Sequence, residues 1–526
     1  MTDIAIIGVG LVTARGSVHD LAGDASPPVP MPWHPARRYR PLRGIHAAGR
    51  ARLIAAMQAA LAECGGTGPI LAASCNGAAA TWRTDDWRAS FDLGHELGGG
   101  PVASAACASG MHALYLARQL IAAGASEIRV VAADIVTPPS HDNFESLRLL
   151  SDDPAPFQPD ASGFLLGEAA VALRLVLAAH APDAPRLIGP VLGHDLDGDD
   201  GIARALHALR ALAASPARPS EPIGGDLADR AELAAHIASD KPSSPGRALS
   251  SQPSARIGAD LVIGQGTGPA EFDRLELAAI AAHLAPDVPL ATALPGFGHA
   301  LGASSLLSVA LAVLSRDSEI AALAASHSTA LDGRPLGARR SRRTVVVCRA
   351  LGGACGACLI GDAAPPLPAL RVTPAGPQTE PGAALGEPSP STSPGDASSA
   401  SRAGAERAWR PPSKLPPFRD PVLRAIAAAA GAHRPAVPPD LVIVTLEAPL
   451  PPSARIGRRI LPTSVLEMTP GQLPQLIARA WGYPGPALCL VGGDPAPLLA
   501  ACRATHDRVY RVAIRGMDDR DVEWDA

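Results

Sequence analysis

Lysine is almost absent from this chain: Lys241 and Lys414 are the only two, and Lys and Arg together number 46 against 50 acidic residues, a formal net charge of -4. That balance gives no broad basic surface and excludes nucleic acid as an expected partner. No apolar run approaches membrane-spanning length, and Met1-Thr2-Asp3 opens without the basic region of a signal peptide. The eight cysteines follow no regular spacing, which fits reduced thiols better than a disulfide framework. The expectation is a soluble, cytoplasmic protein. What the chain does have is length, 526 residues, enough for a large core and more than one domain. A hydrophobic content of 47% excludes wholesale disorder, while 54 prolines and 51 glycines demand long loops or linkers.

The first apolar stretch, Ile4–Ile7, reads as a strand ending in a turn at Gly8-Val9-Gly10. A dinucleotide fingerprint would need a third glycine where Thr13 stands and a well-placed acidic residue, so the glycines are assigned to the turn. Residues 33–52 gather Arg37, Arg38, Arg40, Arg43, Arg50 and Arg52 around Trp33 and Tyr39. That is a solvated loop by default, and a docking patch for an acidic carrier as the alternative. Beyond it, residues 51–61 predict a helix, 70–73 a short strand and 128–133 a buried strand. Strand, helix, strand order marks an α/β layer protein.

Between them stands Ala105-Ala106-Cys107-Ala108-Ser109-Gly110, a cysteine among small residues at the start of the apolar-periodic run Met111, Leu114, Ala117, Leu120, Ile121. A cysteine in a first helical turn faces unpaired N–H groups and the positive end of the helix dipole, which favour thiolate and can hold an oxyanion. Farther on come Gly163 to Ala170, with Glu168 expected in a structural role, then a strand over 171–176. Another strand over 261–263 leads to Gln265-Gly266-Thr267-Gly268 with Asp273 and Glu276 behind it. Gly298-His299-Ala300-Leu301-Gly302-Ala303 precedes a helix over 304–314, and strands follow at 344–348 and near 358–360. Cys355-Gly356-Ala357-Cys358 has metal-like spacing but no second pair nearby, and no metal is assigned.

In this order the motifs resemble those of the β-ketoacyl synthases, the ketosynthase family of the thiolase superfamily, over residues 1 to about 363. The resemblance implies two similar α/β halves, 1–180 and 181–364, in a five-layered α-β-α-β-α body. The family is usually dimeric, either as a homodimer or paired with another ketosynthase-like subunit. It implies Cys107 as the acylated nucleophile and His299 as hydrogen-bond donor to the thioester carbonyl of the carbon donor. The N–H groups of Cys107 and Leu351 would form the oxyanion hole, with Glu168, Asp273 and Glu276 structural near the site. Substrates would ride on the phosphopantetheine of an acyl carrier protein, with no resident cofactor.

The chain departs from the family at three positions. Gln265 stands where the family has a catalytic histidine, Leu294 where it has a lysine, and Leu351 where it has a gating phenylalanine. A glutamine amide can donate to a developing enolate but cannot accept a proton or become cationic. The implied activity is a β-ketoacyl-carrier synthase-like acyltransferase of fatty-acid or polyketide assembly, working by decarboxylative condensation through a Cys107 acyl-enzyme. Acyl transfer without decarboxylation is one alternative. A non-catalytic subunit like the chain-length factors is the other, and those usually lose the cysteine.

Residues 215–256 predict a flexible insert and 365–417 a disordered linker rich in Pro, Ser, Gly and Ala. Residues 418–526 predict a small α/β domain with strands over 441–446 and 487–491 and a helix over 497–504. Leu461–Ser464, Gly471-Gln472 and Tyr483–Val491 echo the first half of a ketosynthase without its cysteine, and a small unrelated α/β cap is the competing reading. The linker composition implies few contacts across it, so a protein ending near residue 364 is expected to keep its fold.

Overall fold

The computed structural model describes residues 3–21, 26–81, 83–196, 201–214, 256–319, 329–330, 340–362, 421–447, 469–515 and 522–525. The expected insert over 215–256 (but for Arg256), the expected linker over 365–417 and the Leu461–Ser464 echo lie outside them. In chain order, β1 (Ile4–Thr13), β2 (Val29–Met31) and β3 (His34–Arg40) lead to α1 (Gly49–Cys64), β4 (Ile70–Ala73), α2 (Thr84–Phe91), α3 (Gly94–Leu97) and β5 (Val102–Ser104). Then come α4 (Ser109–Ala122), β6 (Glu127–Asp134), α5 (Pro138–Ser146), β7 (Leu166–Gly167), β8 (Ala169–Leu177), β9 (Arg186–His194) and α6 (Gly201–Ala214). They are followed by β10 (Leu261–Ile263), α7 (Ala270–His283), β11 (Pro289–Ala291), α8 (Leu294–Phe297), α9 (Ser304–Leu314), β12 (Thr329–Ala330), β13 (Arg343–Arg349) and β14 (Ala354–Gly361). The C-terminal segment holds α10 (Pro421–Ala432), β15 (Leu441–Leu446), α11 (Leu473–Trp481), β16 (Ala487–Val491), α12 (Ala496–Thr505), β17 (Val509–Ile514) and β18 (Val522–Asp525).

Strand pairing repeats itself. In the first half β1 runs antiparallel to β8, β8 antiparallel to β6, β6 parallel to β4 and β4 parallel to β5. The second half gives the same series with β9, β14, β13, β10 and β11. The strands read as near-continuous apolar runs because both faces are covered. In β6, Ile128, Val130 and Ala132 join one core cluster and Val131 and Ala133 another. In β13, Val346 and Cys348 face that same first cluster while Val345 and Val347 face a third with α6 and α7. The shared cluster contains α4 and α9, whose side chains are buried nearly all round. The layers are therefore α1, sheet, α4 with α9, sheet, and α6 with α7, a duplicated five-layered α/β architecture of thiolase-like form.

Gly8 and Gly10 lie inside β1 rather than in a turn at its end. A Cβ on either would collide with carbonyls of α1, Cys64 at Gly8 and Ala60 at Gly10. The glycines serve close helix–strand packing, so the strand runs on to Thr13.

The C-terminal segment is a third, incomplete copy of the same pattern. β18 runs antiparallel to β17, β17 parallel to β15 and β15 parallel to β16, matching β8, β6, β4 and β5. Its β16 pairs antiparallel with β5, Val102 opposite Val491 and Ser104 opposite Cys489, so among the described residues one fifteen-stranded sheet runs through both. α12 packs on α4, where the Tyr115 hydroxyl meets His506 Nε2 at 2.8 Å. Far from making few contacts, the segment shares its cores with the body: Leu498 and Cys502 join the α4 cluster, and Leu423, Ile443 and Trp481 pack within these shared clusters.

Candidate active site

Cys107 sits in the turn between β5 and α4, two residues before the helix begins. Ala106 before it takes a left-handed φ of 50°, a conformation costly for alanine, and Ser109 ties the turn down. The Ser109 hydroxyl accepts from the Ala105 N–H at 2.9 Å and donates to the Ala106 carbonyl at 2.6 Å. Gly110 lets α9 approach, since a Cβ there would meet Leu306, and the Met111 N–H donates to Ser305 Oγ at 3.0 Å.

The thiol is 2% exposed, and burial, reinforced by the nearby Asp134 carboxylate, pushes its pKa up to about 12. This reverses the sequence expectation of a favoured thiolate: desolvation outweighs the helix start, which lies beyond the cysteine. The backbone N–H groups of Leu351 and Cys107 pull in the other direction by hydrogen bonding to the sulfur.

His299 is buried, its ring stacked on Phe164 at a centroid distance of 4.4 Å. Its backbone is clipped to the strand entering β7: the His299 N–H donates to Leu165 O at 2.7 Å, and the Gly167 N–H donates to His299 O at 3.1 Å. Burial lowers its pKa to about 4, so the ring is neutral near pH 7. Nδ1 accepts from the Leu301 N–H at 3.3 Å, which places the proton on Nε2, a buried donor with no protein partner.

Gln265, Leu294 and Gly298 line one cleft with Thr292, Ser304 and Ser308. Glu276 holds that loop, accepting from the N–H groups of Gln265 at 2.7 Å and Gly266 at 3.2 Å. Asp273 accepts from Phe157 N–H at 2.7 Å and Gly268 N–H at 3.0 Å. Glu168 accepts from Leu42 N–H and Val136 N–H and pairs with Arg52 at 2.7 Å. All three carboxylates order loops around the site.

One residue escaped the sequence reading. Asp134, the last residue of β6, is buried and accepts four hydrogen bonds, from Ser74 Oγ (2.6 Å) and the N–H groups of Cys75 (2.9 Å), Asn76 (3.2 Å) and Gly302 (2.8 Å). It joins the loop after β4 to the turn that follows His299, and its charge reaches Cys107. The available signal was a carboxylate closing an otherwise apolar strand.

The arginines of residues 33–52 are largely committed within the molecule. Arg37 pairs with Glu145, Arg50 with Glu96 and Arg52 with Glu168, while Arg40 donates to the Ser26 and Pro295 carbonyls. Cys355 and Cys358 lie three apart on β14 and face different core clusters, so they cannot grip one ion. Among the described residues no group of three or more His, Cys, Asp or Glu is arranged to hold a metal.

These buried groups fix a pH dependence. Burial raises Asp134 to about 7 and Glu276 to about 8, so the folded state holds these protons more tightly than the unfolded chain. Their contribution to stability is present at low pH and lost as pH rises through those values. The buried His112 and His194, lowered to about 3, His299, lowered to about 4, and His283, also lowered by burial, act oppositely until the unfolded imidazoles have lost their protons. From pH 7 to 8 the carboxylates outweigh them. Stability should fall there by on the order of 1 kcal/mol, read as a decline in Tm across that window; a rising Tm would contradict the assignment.

Residues 95–181, which contain Cys107, Asp134 and Glu168, match the family model "Beta-ketoacyl synthase, N-terminal domain". A search of curated proteins finds no match. Among solved structures, a β-ketoacyl synthase from Burkholderia phymatum STM815 superposes over 69% of this chain and 100% of its own, with 20% identity and a TM-score of 0.51. The PfaC keto synthase–chain length factor superposes over 98% of this chain and 74% of its own, with 12% identity and a TM-score of 0.63. A ketosynthase, ApeO, solved with its chain length factor ApeC from Xenorhabdus doucetiae, covers 69% and 98%, with 19% identity and a TM-score of 0.50. Residues 95–181 thus match a β-ketoacyl synthase N-terminal domain, and the chain as a whole has the fold of the ketosynthases and chain length factors it superposes on.

Proposed function

We propose that the protein is an acyltransferase of fatty-acid or polyketide assembly that carries its acyl group on Cys107 and condenses it with a decarboxylating donor. One observation supports the reading: the turn that follows His299 packs on the start of the Cys107 helix, Gly302 lying against Ser109 and donating to Asp134, and His299 holds a neutral, unpartnered Nε2–H there. In the first step the sulfur attacks a thioester carbonyl, the N–H groups of Leu351 and Cys107 hold the oxyanion, and the carrier's thiol leaves with the proton. In the second step a malonyl-type thioester loses carbon dioxide, and its enolate carbon attacks the acyl-enzyme. His299 Nε2–H and the Gln265 amide are the donors offered to that enolate oxygen, and Cys107 is released as thiol once a proton is taken up.

The substrates ride on the phosphopantetheine of an acyl carrier protein. A subunit pairing through β5 is not needed, because β16 of the same chain occupies that edge; residues 421–525 act as a built-in partner half. Among the described residues no helix is long and apolar enough to cross a membrane, and the eight cysteines are buried and unbridged, which accords with a reducing, cytoplasmic setting.

The test separates the two steps. Acylation of Cys107 and carbon dioxide release from a malonyl carrier are measured in the parent, Gln265→His and Gln265→Ala. Losing one oxyanion donor costs about 2.7–4 kcal/mol, a loss of roughly 10²–10³ in rate. Acylation should be unchanged throughout, with decarboxylation raised by histidine and lowered by alanine. A parent that acylates but never releases carbon dioxide is a transferase without condensation, and a parent that does neither is a non-catalytic subunit.

A further inference from the structure

A second pocket lies beside the Cys107 turn, where Asn76, Thr137, Ser140 and Asn143 stand among the apolar walls of Ala79, Pro139 and Trp87, closed by Thr469 of the C-terminal segment. Both of its asparagines are more than nine-tenths buried, at 8% and 3% exposure, and the side-chain oxygens Asn76 Oδ1 and Asn143 Oδ1 have no hydrogen-bond partner. Two buried acceptors without donors are costly unless something fills the space between protein groups.

The pocket is tied to the nucleophile from two sides. Asn76 follows Cys75, and the N–H groups of both donate to Asp134, while the carbonyl of Ser74 before them lies at 3.3 Å from the Ser109 hydroxyl of the Cys107 turn. Thr469 begins the turn that ends at Gly471, whose α-carbon packs on the backbone of Ala105 and Ala106. The polar atoms left over are the two carboxamide oxygens, much of the remaining wall is apolar, and the room is about that of one water-sized group.

We infer that this pocket receives the end of a short acyl group bearing a hydroxyl, so that the acyl-enzyme proposed above is selective for hydroxyacyl over alkyl chains. A hydroxyl both donates and accepts, which suits carboxamides. An ammonium would be buried without a counter-charge, since no carboxylate lines the pocket and the Asp134 oxygens behind it are already committed to four donors. The single proton of a hydroxyl pairs one asparagine oxygen whereas an alkyl end pairs neither, and sites built to hydrogen-bond a hydroxyl reject analogues lacking it.

The inference rests on the Cys107 acyl-enzyme, and the experiment keeps the two apart. The full chain is offered 3-hydroxypropionyl- and butyryl-pantetheine, near-isosteric thioesters, and adduct formation at Cys107 is followed by intact mass. The hydroxyacyl thioester should react faster by about tenfold or more, and Asn143→Leu or Asn76→Leu should erase or invert that ratio, which is internal to each variant. In parallel, Cys107→Ala is mixed with the corresponding pantetheine amides, which cannot acylate, and its Tm is measured. The hydroxyacyl amide should stabilise it more than the butyryl amide. Equal acylation by both thioesters, or a preference that survives both asparagine variants, overturns the pocket and leaves the acyl-enzyme standing. No acylation but selective stabilisation overturns the acyl-enzyme and keeps the pocket. Neither acylation nor selective stabilisation overturns both, and the pocket then holds structural water only.

Discussion

A protein ending at residue 362 should fail to fold to a cooperative, soluble monomer. Removing the C-terminal segment strips β16 from β5 and leaves Val102–Ser104 as an open edge beside the Cys107 turn. It uncovers the face of α4 that packs on α12 and takes the Tyr115 hydroxyl from His506. It also removes Leu488, Leu490, Leu498 and Cys502 from the core around α4, and Trp481, Val442 and Val444 from the core that contains α1. Each large apolar side chain left uncovered forfeits about 1.5–3 kcal/mol, against a usual total stability of about 5–15 kcal/mol. The truncated form should therefore precipitate, self-associate through β5 or lose its thermal transition, as seen by size-exclusion chromatography and by circular dichroism on heating. A monomer that melts as the full chain does would contradict the shared core.

That expectation is the opposite of what the composition of residues 365–417 implies, and the difference is instructive. A linker's composition reports on the linker alone, whereas contact between the segments it joins depends on surfaces that pair far apart in sequence. Val102–Ser104 is three residues long and flanked by Gly98-Gly99-Gly100 and the Cys107 turn, so nothing local marks it as the meeting strand. The halves themselves were more legible. The strands over 70–73, 441–446 and 487–491 and the helix over 304–314 stand where apolar runs between breakers placed them, because buried strands and a helix apolar all round carry their own signal. β9 was less legible: Gly189 and Pro190 interrupt its pattern, and such residues argue against a strand.

At the site, motif order led to Cys107, His299 and Gln265, and the carboxylates Glu168, Asp273 and Glu276 stand where loops need acceptors. What the motifs could not convey is desolvation. Nothing in Ala106-Cys107-Ala108 announces a thiol pushed up to about 12, since that value comes from layers packed above and below the turn. Asp134 was missed for the same reason, its four donors coming from segments about sixty and one hundred and seventy residues away in the chain.

The second large effect is at Cys107. Mixing the full chain with an acyl carrier or acyl-pantetheine thioester should yield a single acyl adduct by intact-protein mass spectrometry. Cys107→Ala should abolish it, because each of the other seven cysteines is also buried and none of them stands at the opening of a helix. Cys75, the nearest competitor, has its thiol raised by burial and by Asp134, with no compensating donor at its sulfur. Peptide mapping of the adduct tests the central claim most directly: the account predicts one acyl group, on Cys107, lost in the alanine variant, and an adduct that persists in Cys107→Ala would contradict it.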